Sequence, residues 1–102
     1  MLTTVADEAA AERIAKALVD GRLAGCVTRL PGVVSTYRWE GRRQQDTEVL
    51  LLIKTTEAVY EALAEELESL HDYELPEVLA VPVDKGSPAY LSWLTAAVNG
   101  KN

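Results

Sequence analysis

Cys26 and His71 are the only cysteine and the only histidine in this sequence, and a thiolate and an imidazole are ligands suited to copper or zinc. Asp72 and Glu74, close to the histidine, are carboxylates that can complete a metal shell. The two soft donors lie far apart along the chain, with no ligand-spaced pair such as Cys-x-x-Cys. One chain therefore offers a thin donor set. Plainer readings stand beside this one. A free cysteine opening a strand commonly packs as a small apolar residue. A loop histidine hydrogen-bonds locally, with Asp72 either raising its basicity or capping a turn. Cys26 and His71 are also formally a nucleophile and a base, with Tyr37 or Glu74 as further acid or base. No nucleophile elbow or metal-hydrolase motif accompanies them, so the chain reads as a non-enzyme.

The elements that would position these residues follow from pattern. Val33 to Gly41 and Glu48 to Thr55 are β-rich runs that read as a long antiparallel hairpin, with Arg42-Arg43-Gln44-Gln45 as its tip. Alternation puts Val33, Ser35, Tyr37 and Trp39 on one face. An aromatic pair near the end of such an arm wants a partner surface, which makes the hairpin an assembly arm. Before it come a short β-like opening (Leu2 to Val5), a helix capped by Asp7 with apolar positions Ala10, Ile14, Ala17 and Leu18, and a strand from Cys26 to Leu30 that Pro31-Gly32 should bulge. Gly21 is the expected helix stop, with Leu23 as the further limit.

After the hairpin, Thr55-Thr56 offers hydroxyls for a helix start, and Val59, Leu63, Leu67 and Leu70 form its apolar stripe. The glutamates opposite are most simply its solvent face. His71 to Pro76 is a loop, Glu77 to Val83 a strand held to an edge by Pro82, and Ser87-Pro88 starts a final helix over Ala89 to about Val98. The order strand, helix, strand, strand, helix, strand, helix is an α+β, ferredoxin-like β-α-β-β-α-β fold with a C-terminal helix, in one domain over 1–102.

Bulk properties narrow the function. A chain of 102 residues buries roughly 65% of its unfolded surface, enough for a modest core that oligomerisation would help. A net charge of −6 disfavours general nucleic-acid binding, and Arg38, Arg42 and Arg43 make only a small basic exception. No basic-then-apolar leader and no membrane-length apolar run occurs, and the single cysteine suits a reducing compartment, so a cytoplasmic location is expected.

Ala24-Gly25-Cys26-Val27-Thr28, Pro31-Gly32-Val33, Ser35-Thr36-Tyr37-Arg38-Trp39-Glu40-Gly41, Ile53-Lys54-Thr55-Thr56, His71-Asp72-Tyr73-Glu74-Leu75-Pro76-Glu77 and Pro88-Ala89-Tyr90-Leu91-Ser92-Trp93-Leu94 together resemble the CutA divalent-cation tolerance family over nearly the whole chain. The family usually has Ala-Cys-Val-Asn where this chain has Gly25 to Thr28, and His-Pro-Tyr-Glu where it has His71 to Glu74. The resemblance implies a homotrimer with hairpins reaching onto neighbours, a link to copper and other divalent metals, and Cys26 and His71, helped by Glu74, as candidate ligands. Catalysis, nucleic acid and membranes are not expected.

A different class of function is a small-molecule sensor or signalling scaffold, since ferredoxin-like trimers with intersubunit clefts resemble the nitrogen-regulatory PII proteins. Tyr37, Trp39, Lys54, His71, Tyr73 and Glu74 are the residues expected near such a cleft. The sequence has no phosphate-cradling glycine loop. Tyr37, Trp39, Tyr90 and Trp93 otherwise serve packing at core and subunit contacts.

Overall fold

The computed structural model describes residues 1–99. Strand β1 (Leu2–Val5) leads into helix α1 (Glu8–Asp20), followed by β2 (Cys26–Trp39), β3 (Arg42–Lys54), a single 3₁₀ turn (Glu57–Val59), α2 (Tyr60–Leu70) and α3 (Pro88–Asn99). The three strands form an antiparallel sheet in the order β1-β3-β2. On the outer side of β1, Leu79 exchanges two backbone hydrogen bonds with Leu2, of 2.8 and 3.2 Å. The spatial order of a ferredoxin-like sheet is thereby completed by one residue pair.

The strand expected over Glu77 to Val83 therefore shrinks to a bridge at Leu79. β1 has only four residues to offer, and Pro82 brings no N–H to a ladder. Val81 and Val83 run on past that bridge, 65% and 73% exposed.

The hairpin is longer and its turn tighter than the sequence suggested. Arg42 to Gln45 belong to β3 and pair with Trp39 to Thr36, so they are strand and not tip. The connection is Glu40-Gly41 alone, with φ of 51° and 76°. Positive φ at both central residues is the mark of the two-residue turn whose twist matches the flanking strands, and glycine takes its half of that at no steric cost. The ladder slips between Leu30 and Val33, where Gly32 sits at φ 76°, giving the bulge expected at Pro31-Gly32.

Helix α1 starts as its sequence dictates: the Asp7 carboxylate accepts from the Ala10 N–H at 2.9 Å. Its end is less obvious. Arg22, not Gly21, takes the left-handed conformation (φ 58°), while Leu23 N–H bonds the Leu18 carbonyl and Arg22 N–H that of Val19. This pairing satisfies the last carbonyls and turns Leu23 back onto the core. At α2 the threonine hydroxyls do not cap the helix, since Thr55 Oγ1 donates to the Leu23 carbonyl at 2.7 Å and Thr56 makes no side-chain cap. At α3, Ser87 Oγ accepts from the Tyr90 N–H at 3.3 Å, as expected.

α1 and α2 cover one face of the sheet. Ile14 and Leu18 from α1, Leu63 and Leu67 from α2, and Val49, Leu51 and Ile53 from β3 close the core, all but sealed from solvent. Full burial of each such side chain contributes roughly 1.5–3 kcal/mol. α3 packs elsewhere, against the start of β2: a Cβ on Gly25 would fall 2.6 Å from Leu94 Cδ1, so any larger residue there would have to displace the Leu94 side chain.

Candidate functional site

Two depressions flank the sheet. The first, a cleft of about 680 Å³, lies between one face of the hairpin and the loop after α2. Register builds its hairpin wall: Ser35 pairs with Asp46 and Tyr37 with Gln44, so alternation brings Ser35, Tyr37, Trp39, Asp46 and Glu48 to one side. Tyr73, Glu74 and Asp72 close it from the loop. The Tyr73 hydroxyl donates to Glu48 Oε2 at 2.6 Å, and the Tyr37 hydroxyl donates to Asp46. Glu48 is 6% exposed, so Tyr73 answers a carboxylate that would otherwise lack a partner away from water. Burial and then the bond to Glu48 push the Tyr73 phenol well above the usual tyrosine range. Tyr37 moves in the same direction through its bond to Asp46.

His71 holds this loop from behind. The backbone N–H of Tyr73 donates to Nδ1 at 3.1 Å, which leaves Nδ1 as acceptor and puts the proton on Nε2. Nε2 then donates to the Thr4 carbonyl at 2.8 Å, and the ring packs on Tyr73 with centroids 4.7 Å apart. Both nitrogens are thus spoken for in a buried ring. Asp72, the departure beside it, turns outward to Arg13 of α1 at 3.1 Å, and Arg13 also bonds the Leu70 carbonyl at 2.9 Å.

Cys26 sits elsewhere. It opens β2 opposite Lys54, half-buried, with its sulfur 3.8 Å from Lys54 Nζ and 3.9 Å from Thr28 Oγ1. Lys54 Nζ donates to Thr28 Oγ1 as well. The thiol therefore meets polar neighbours at a strand end and is not packed as a core residue. Cys26 pairs with Lys54, whereas His71 is tied to Thr4, which pairs with Leu50. Four residues of strand separate those levels, roughly 13 Å. Within one protomer Cys26 and His71 share no site, either as metal ligands or as nucleophile and base. Among the described residues, no group of three or more Cys, His, Asp or Glu side chains is placed to hold a metal ion.

Of the residues expected near a cleft, Tyr37, Trp39, Tyr73 and Glu74 line the one described, and His71 backs it. Lys54 lines the second depression, an apolar groove of about 760 Å³ that also takes in Leu52, Tyr60, Val81, Val83, Leu91 and Leu94. Tyr90 and Trp93 stack on α3 with centroids 5.6 Å apart, and both remain over a third exposed. Asp46 and Glu48 escaped the sequence reading. Their signal was an acid at alternate positions of a strand otherwise running into Val49 to Ile53.

The CutA1 divalent ion tolerance protein model matches residues 1–97. The divalent-cation tolerance protein CutA of Thermus thermophilus is 48% identical over 94 residues, covering 92% of this chain and 91% of its own. Mouse protein CutA is 45% identical over 91 residues, and this chain spans about half its length (51%). Among solved structures, CutA from Xylella fastidiosa superposes with a TM-score of 0.93 at 46% identity, covering 95% of this chain and 93% of that one. A divalent cation tolerance protein structure from Thermus thermophilus gives 0.92 at 47% identity, covering 94% and 93%.

Proposed function

This chain belongs to the CutA1 divalent ion tolerance family, and from that premise we propose that it acts as a homotrimer that binds copper or another divalent metal weakly at contacts between protomers. The observation that carries the reading is the mismatch between donors and neighbours. The donors of one protomer do not converge, yet Cys26 is only half-buried at a strand end and Glu74 is exposed on the cleft, so both stay open to donors from a second copy. The thiol supplies a soft ligand and Glu74 a carboxylate. His71 joins only by releasing Thr4 or Tyr73, a cost of about 1–3 kcal/mol for a buried group left unpaired, so it ranks last of the three. The test is calorimetric titration with Cu(I), Cu(II) and Zn(II) of the parent, Cys26→Ser, Glu74→Gln and His71→Ala, all first matched for mass by light scattering. Saturable binding lost in Cys26→Ser with the assembly intact supports the reading. Binding insensitive to all three substitutions contradicts it.

A small-molecule sensor remains the second reading, favoured by one observation. The cleft between hairpin and loop has the volume of an ordinary ligand site and presents Tyr37, Trp39 and Tyr73 rings beside fixed carboxylates. A ligand seated there would change Trp39 fluorescence and be insensitive to Cys26→Ser, which separates it from metal binding.

A further inference from the structure

We draw no further inference here: the strongest candidate, the acidic cleft between the β2–β3 hairpin and the 71–77 loop, rests on clustered carboxylates whose one buried member, Glu48, is bonded to Tyr73, and nothing in the structure points to what would occupy it.

Discussion

Between the sheet and helices α1 and α2, apolar side chains close within a single chain; along the Leu79 segment and over α3 the same kinds of residue stay open. Ile14, Leu18, Leu51, Leu63 and Leu67 are fully buried, whereas Leu79, Val81 and Val83 are 53%, 65% and 73% exposed. β3 shows both outcomes in one strand, because Val49, Leu51 and Ile53 face the helices while Leu50 and Leu52 face the other way and are only partly covered. The difference lies not in residue type but in whether the chain supplies a lid. Covering the exposed part of Leu79, Val81 and Val83 would contribute roughly 1–2 kcal/mol each, which a neighbouring copy can provide and the described residues do not.

Breaking the open region should have the largest effect on assembly and a small one on the fold. Val81→Asp combined with Val83→Asp would place charges where the proposed trimer would bury them, at a cost of several kcal/mol per ion. The expected result is a monomer by light scattering that keeps its far-ultraviolet circular dichroism. Leu67→Ala, in the closed region, should do the reverse. It should cost about 2–5 kcal/mol by denaturant unfolding and act through the core, not the contacts between copies.

A middle-sized effect belongs to the cleft. Tyr73→Phe strands the buried Glu48 carboxylate, and a loss of about 1–3 kcal/mol in unfolding free energy is expected. The same pair sets a pH dependence. Because the folded-state phenol titrates above its unfolded value, its contribution is fully present below about pH 10 and fades as pH climbs from there toward the raised value. Chemical denaturation from pH 8 to 11 should show that decline in the parent, and a shallower one in Tyr73→Phe. The smallest effect is a gain. Thr3 lies fully buried on the helix side of β1, and its Oγ1 has no hydrogen-bond partner among the described residues. Thr3→Val should raise stability by about 1 kcal/mol, seen as a higher Tm.

The closed region was the legible one. Helical spacing named Ile14, Leu18, Leu63 and Leu67, and Asp7 and Ser87 cap as their types require, because these are local patterns that one chain satisfies by itself. The hairpin's existence was legible too, but not its reach. Arg42 to Gln45 looked like a polar tip because strand propensity is weak there, while pairing with Thr36 to Trp39 holds them in the ladder. Glu77 to Val83 read as a strand from composition alone, and composition does not count the partner residues β1 has available. The site was harder still. Glu48 and Tyr73 meet only once the loop folds onto the hairpin, and the separation of Cys26 from His71 follows from strand register, which residue type does not carry.

The most direct measurement is the mass of the purified protein by multi-angle light scattering across a hundredfold dilution, beginning near 100 micromolar. Three chain masses are expected at the upper concentrations, with the groove around Val81, Val83 and Leu91 protected from hydrogen exchange. A single chain mass throughout, with those amides exchanging freely, would contradict both the trimer and any metal site shared between its protomers.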